Sequence, residues 1–279
     1  MHNLAQPARQ GAETRSISLK TIDVEFAYGD SAVLKKVSVE IVPHALTALV
    51  GPNGSGKSTL LSALARFLRV TGGAVELDGE AIDRQPTKAV ARKLAILPQN
   101  PPLPEAITAF ELVSRGRYPH IGFFGAWSEA DVSAVDTAMQ MTGVAEFADR
   151  PVAGLSGGQR QRCWIAMALA QQTPIILLDE PTSFLDLRYQ LEILRLLQAL
   201  ARDHGRTVVI ALHDLNLAAA HADQMIFFKD GRVQGAGATN DVCTAKLIRS
   251  VFEVDVIAMP HPQSGRPVFI PQAEPVWSA

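Results

Sequence analysis

Lys57 and Ser58 close a glycine-rich run, Gly51-Pro52-Asn53-Gly54-Ser55-Gly56-Lys57-Ser58-Thr59. Its spacing, G-x-x-x-x-G-K-[ST], is that of a phosphate-binding loop. Glycines 51, 54 and 56 let the backbone curl until successive N–H groups point inward at phosphate oxygens. Lys57 would reach the β- and γ-phosphates of a nucleotide as a point charge, and the Ser58 hydroxyl would sit on Mg²⁺. A second pair of groups, Asp179-Glu180, ends the apolar run 175–178. Asp179 could help hold Mg²⁺ through a water, while Glu180, pointing another way, could orient a water as a base. Ser156-Gly157-Gly158 reads as a helix start, hence a second anion-binding end. A compact unit does not easily aim both helix ends at one phosphate.

The elements around these residues must position them. Residues 45–50 are apolar and read as a buried strand, and 60–68 read as a helix whose positive end meets the loop. Strand, glycine turn and helix is the context that the motif requires. Upstream, 17–27 partly alternates and predicts a strand wet on one face, 28–30 a turn, and 36–42 a second strand. A short strand over 74–77 ends at Asp78-Gly79. A helical stretch follows Pro86, and 94–97 reads as a strand. The proline-rich run 98–104 excludes regular structure. Residues 107–114 read as a helix and 115–125 as an irregular loop with aromatics. Ser128 to Asp131 fits a capping box opening a helix to about 141. The block from about 100 to 170 is therefore mainly helical, inserted between parts of an α/β core. The core resumes with strands at 175–178, 207–212 and 224–228, helices at 187–200 and 215–221, and a hairpin turn at Asp230-Gly231 leading to 232–234. A helix over about 244–252 precedes an extended, proline-containing end.

Length and composition narrow the class. The chain has 279 residues, with 47% hydrophobic and 19% charged, as in an ordinary globular protein. The 26 basic and 28 acidic residues give a net charge of −2, which offers no bulk electrostatic case for nucleic acid. Cys163 and Cys243 lie far apart and suggest neither a disulfide framework nor a metal site. No apolar run approaches the length of a membrane span, and residues 1–16 lack the apolar centre of a signal peptide. Any membrane role must come through a partner.

A phosphate loop alone fits kinases, GTPases, helicases and transport ATPases, and the remaining motifs discriminate. Leu155-Ser156-Gly157-Gly158-Gln159-Arg160-Gln161-Arg162 resembles the signature sequence of ATP-binding cassette (ABC) ATPases, and the segment 175–181, ending Asp179-Glu180-Pro181, resembles that family's Walker B motif. Gln99 is similar to the Q-loop glutamine, Ser183-Phe184-Leu185-Asp186 to the D-loop, His213 to the switch histidine and Tyr28 to the adenine-stacking aromatic. All stand in the family's order over roughly residues 16–235. The resemblance implies an α/β fold: a phosphate-loop cassette with a RecA-like core, an antiparallel β subdomain and an inserted α-helical subdomain. It places a tail at 1–15, the ATPase domain at 16–240 and a C-terminal helix and extended tail at 241–279.

It also implies roles. Lys57, Glu180 and His213 would be catalytic. Tyr28, the loop residues 51–59, Gln99, Ser156, Gly157, Gly158, Gln159 and Asp186 would bind ATP, and Ser58, Gln99 and Asp179 would hold Mg²⁺. Two copies would pair head to tail, Ser156 of one meeting the γ-phosphate held by Lys57 of the other. The absence of fused spans, of a second cassette and of coiled-coil insertions fits a separate importer subunit. Arg115-Gly116-Arg117-Tyr118-Pro119-His120, the aromatic Phe184 and the ending His261-Pro262-Gln263-Ser264-Gly265-Arg266-Pro267 resemble the ATPases of iron-siderophore, haem and vitamin B12 importers. Such a subunit would sit on the cytoplasmic face of the membrane, bind a permease through the proline-rich stretch and the 117–120 loop, and serve a periplasmic or lipoprotein binding protein indirectly. Phe123, Phe124 and Trp127 would add aromatic interface area. A soluble ABC ATPase acting on a macromolecular complex is the competing reading, and a phosphate-loop kinase leaves the 155–162 segment unexplained.

Overall fold

The computed structural model describes residues 16–102, 106–122 and 125–272. β1 (Leu19–Tyr28) and β2 (Ser31–Ile41) form an antiparallel pair, followed by β3 (Leu46–Val50) and α1 (Lys57–Leu64). β4 (Gly72–Leu77), β5 (Glu80–Ala81), α2 (Thr87–Lys93) and β6 (Leu94–Leu97) come next. The helical stretch holds α3 (Ala109–Ser114), α4 (Glu129–Met141) and α5 (Gly157–Ala170). The core then resumes with β7 (Ile175–Asp179), α6 (Leu187–Arg202), β8 (Thr207–Ala211), α7 (Leu215–His221) and β9 (Gln224–Lys229). β10 (Arg232–Ala238), α8 (Thr239–Val242), α9 (Ala245–Phe252), β11 (Val256–Pro260) and β12 (Pro267–Pro271) complete the described chain.

Two sheets result. One is antiparallel, in the order β2-β1-β4-β5; the other runs β10-β9-β3-β8-β7-β6, parallel except for the edge strand β10. β3, β7 and β8 are buried at every position, so their side chains divide between two cores by alternation. Leu49, Leu177 and Val209 face α1 and the antiparallel sheet, whereas Ala48, Leu178 and Ile210 face α6, α7 and the helical block. Leu60, Leu61 and Leu64 of α1 are wholly buried, each contributing roughly 1.5–3 kcal/mol of apolar burial. α1 is thus clamped between the sheets, which fixes the loop in front of it.

The expected strands and helices appear, with differences in detail; α1 runs Lys57–Leu64 rather than over 60–68. β2 begins at Ser31 rather than 36, because Lys36 takes φ 55° and the register slips opposite Phe26, masking the alternation. β10 runs on to Ala238 and meets α8. Residues 115–117 form a 3₁₀ turn rather than an irregular loop. The C-terminal end is a hairpin: His261 N–H donates to Arg266 O at 2.7 Å and His261 Nδ1 accepts from the N–H groups of Gln263 and Ser264. Asn216 of α7 bonds both the N–H and the C=O of Phe269, so the segment 261–267 serves as the turn of an element docked on α7.

Arg117 does not line a docking groove. It is 5% exposed, pairs with Asp131 at 2.9 Å and donates to Ala170 O and Gln172 Oε1. His120 likewise turns inward onto Gln171 O, while Tyr118 is exposed. Trp127 is partly exposed; Phe123 and Phe124 lie outside the described residues, as do the tail 1–15 and positions 103–105 of the proline-rich run. The Ser128 hydroxyl and N–H, with the Arg117 guanidinium, hold Asp131 down to about 2 from 3.8. The folded value is depressed, so this contribution to stability is complete above the unfolded value near 4 and is lost as pH falls toward 2. Replacing Arg117 by Ala leaves a buried carboxylate without its cation, and we expect urea denaturation to show a loss of about 3 kcal/mol.

Candidate active site

β3 delivers the chain to the phosphate loop, and the loop is braced from outside by β9 and its turn. A Cβ added at Gly51 would stand 2.0 Å from Phe228 O, and one at Gly56 would stand 3.2 Å from Val33 O. Gly54 and Gly56 take φ 74° and 107°, which glycine adopts at low cost. Gly231 N–H donates to Ser55 O at 3.0 Å. Inside the curl, Lys57 Nζ donates to Gly51 O at 2.9 Å and Pro52 O at 3.0 Å. The ammonium is buried, and desolvation lowers its pKa against the opposing pull of Glu180 and Asp179. Ser55 Oγ is buried without a partner. A cation satisfied only by carbonyls, an orphaned hydroxyl and the N-terminal end of α1 together suit a phosphate chain.

Asp179 ends β7 and accepts from Ser58 Oγ at 3.0 Å. Burial raises its pKa, an effect opposed by the Ser58 bond. A buried carboxylate beside a hydroxyl is a fitting half-site for Mg²⁺, to be completed by the nucleotide and other ligands. Among the described residues no cluster of three or more His, Cys, Asp or Glu could hold a metal by itself.

Glu180 departs from the strand with φ 49° while its N–H still bonds Ala211 O. A non-glycine residue in that region costs on the order of 1–3 kcal/mol, and here it turns the carboxylate from the sheet into the cavity. His213 Nε2 bonds Oε1, while Gln99 Nε2 at 2.7 Å and Ser183 Oγ at 3.2 Å bond Oε2. β6, β7 and β8 are neighbours in the sheet, so Gln99, Glu180 and His213 converge because they follow the ends of adjacent parallel strands. A cavity of about 440 Å³ is lined by Asn53, Gly54, Ser55, Gly56, Lys57, Ser58 and Thr59 together with Val33, Gln99, Glu180 and His213.

Not every expected residue joins it. Tyr28 ends β1, more than half exposed and edge-on to Phe26 at 4.8 Å; its strand partner Ser31 lies two residues before Val33. Ser156 and Gln159 form a capping box that opens α5. Gly157 lines a separate depression with Gln99, Arg160, Trp164 and Phe184, and Gly158 packs near Leu185. Asp186 accepts from Tyr189 N–H as the cap of α6. None of these lines the cavity that Lys57 lines. The sequence placed Ser183 only in the D-loop-like segment, not as a partner of Glu180, and gave no role to Val33; Ser183 stands in the Pro-Thr-Ser turn just after the acidic pair, whereas Val33 carries no signal of its own. A larger concavity, about 570 Å³, is lined by Arg66, Arg69, Arg84 and neighbouring segments and shares no residue with this site.

The geometry has relatives. The ABC transporter family model matches residues 34–183. The chain is 45% identical to the iron(3+)-hydroxamate import ATP-binding protein FhuC of Bacillus subtilis (strain 168), over 90% of this chain and 93% of that one. Among solved structures, an inward-facing ABC transporter assigned to the metal-chelate type aligns with TM-score 0.78 at 28% identity, covering 92% of this chain and 98% of that one. The cassette MJ0796, a dimer in a post-hydrolysis state with ADP and Pi, aligns with TM-score 0.71 at 32% identity, covering 79% and 98%. The chain belongs to the ABC transporter family and is an ATP-binding cassette ATPase.

The close packing at Gly51 gives a contrast that sequence spacing alone does not. Gly51→Ala should abolish nucleotide binding and lower the thermal midpoint, since backbone must move. Gly54→Ala has open space and only its positive φ to overcome, about 1 kcal/mol. Differential scanning and ATP-binding titrations of the two variants check this.

Proposed function

We propose that this chain is the ATP-hydrolysing subunit of a membrane importer of metal chelates, with a ferric siderophore as cargo and haem or cobalamin as the related alternatives. The ATPase half is carried by the Glu180 carboxylate, which three side chains from three segments fix on the cavity that Lys57 lines. The cargo half is supported by the likeness to an iron(3+)-hydroxamate import subunit over nine-tenths of the chain.

ATP would lie with its phosphates in the loop 51–59 and adenine against the exposed Tyr28 ring. Lys57, released from the Gly51 and Pro52 carbonyls, would bind the β- and γ-phosphates. Ser58, Asp179 and Gln99 would hold Mg²⁺, which would neutralise phosphate charge when bound. A water in line with the γ-phosphate would lose its proton to Glu180, whose plane is set by His213 on one oxygen and Gln99 on the other. Ser156 and the α5 N-terminus, which one chain keeps apart from Lys57, would complete the site of a second copy. Two such interfaces related by a two-fold axis close into a dimer, the state in which MJ0796 is seen. Among the described residues no helix is long and apolar enough to cross a membrane; the dimer would sit on the cytoplasmic side of a separate permease. Exposed Phe67 and Tyr118 offer apolar area for that contact.

Glu180→Gln should leave ATP binding intact and cut turnover at least ~10²-fold, as for loss of a general base; near-normal hydrolysis overturns the role of Glu180. Tagged Glu180→Gln protein purified from its native cells with ATP should bring down a polytopic permease. Recovery of ribosomes, DNA ends or no membrane protein overturns the import reading.

A further inference from the structure

The segment 261–267, distinctive in the sequence and without a part in the chemistry above, ends against α7, the helix whose cap, Asp214, directly follows His213. α7 has 7 residues, of which Ala218, Ala219 and His221 are buried. Side chains as small as alanine bury little apolar area, and a helix this short is marginal on its own. Its anchoring is polar and lies at its two ends. At the first turn, Asn216 Nδ2 donates to Phe269 O at 3.1 Å, and Asn216 Oδ1 accepts from Phe269 N–H at 2.8 Å. The amide thus takes the place of a neighbouring strand along β12. Phe269 is the one buried residue of β12 and packs in the cluster that holds Ala218 and Ala219.

At the last turn of a helix the carbonyls have no partner within it. Arg266, in the turn of the hairpin, donates from Nη1 to Ala219 O and Ala222 O, and its Nη2 lies 3.5 Å from Asp223. A cation there is also favoured by the helix dipole. Gln198 of α6 donates to His221 O, and Thr239 of α8 donates to Ala222 O. The C-terminal hairpin therefore bonds α7 at both ends, through Asn216 at the start and Arg266 at the finish.

His213 stands between two fixed points. Before it, Leu212 N–H donates to Leu49 O; after it, Asp214 caps α7 by accepting from Leu217 N–H at 2.8 Å. Among the described residues the His213 side chain has one hydrogen-bond partner, Glu180. No other side chain aims the ring, so the backbone on either side aims it, and on one side that backbone is the start of α7. We propose that the C-terminal hairpin holds α7 so that His213 meets Glu180, and that Asn216 and Arg266 are positioning residues for hydrolysis although neither lines the nucleotide cavity. This rests on the role given to His213 above.

The test uses the full-length protein and steady-state hydrolysis of ATP with Mg²⁺. The His213 ring signal is followed alongside by NMR of histidine-labelled protein and assigned by its loss in His213→Ala. Arg266→Gln leaves Asp223 paired with Arg202, so the fold should persist. It should lower kcat about tenfold while KM for ATP stays within about twofold, and it should move the His213 signal. Asn216→Ala, at the other end of α7, should do the same, and it carries the test if Arg266→Gln does not fold. Arg266→Lys, which keeps a cation at the helix end, should restore most of the turnover. Gln263→Ala, which removes an exposed side chain of the same turn, should match the parent. Unchanged kcat in folded Arg266→Gln overturns the proposal. So does a loss of turnover with the His213 signal unmoved, or one explained by a matching rise in KM, since either would make the contacts merely structural. A His213→Ala protein that hydrolyses ATP like the parent overturns the role of His213 itself, and this inference with it.

Discussion

The contact on which most of the molecule depends is the closeness of the phosphate loop to β9. Gly51 passes so near the Phe228 carbonyl that no side chain fits between them, and Gly231 in the following turn bonds the Ser55 carbonyl. A loop of alternating glycines has high conformational freedom, and its anion-binding curl must be imposed by its surroundings. Here β9 imposes it on one side and the buried leucines of α1 on the other. The curl is thus held in place by the protein itself, which is the kind of preorganisation that electrostatic catalysis requires.

The reacting groups depend on a second constraint, the order of strands in the parallel sheet. Gln99, Glu180 and His213 come from segments separated by more than thirty residues each, yet β6, β7 and β8 lie side by side and all end at the same edge. Chain ends at the carboxyl edge of a parallel sheet are where such folds bind ligands. Strain at Glu180 belongs to this arrangement: the left-handed turn takes the carboxylate out of the pleat and onto His213 and Gln99.

Within one copy the parts stay apart. The loop and Glu180 stand at one cavity, whereas Ser156 and its helix start stand elsewhere, tied to the core through Gln161, which donates to Pro181 O, and through the guanidinium of Arg162. The site and the helical block are therefore joined through the short segment 181–186, which runs from Glu180 to the cap of α6.

The sequence by itself determined the chemistry and most of the framework. The spacing of glycines before Lys57, the apolar runs ending in Asp179-Glu180 and before His213, and the capping residues at Ser128 and Ser156 are local signals, and local signals survive in one dimension. The start of β2 was obscured by a bulge at Lys36, and the C-terminal hairpin by the prolines at its ends, because both depend on partners elsewhere. Tertiary structure alone decided that Arg117 is a buried pair for Asp131 rather than a docking residue and that Ser183 is a third hand on Glu180. In each case the reason is the same. Burial and pairing between segments far apart in sequence decide which polar groups face water and which face each other, and the residue types permit either outcome.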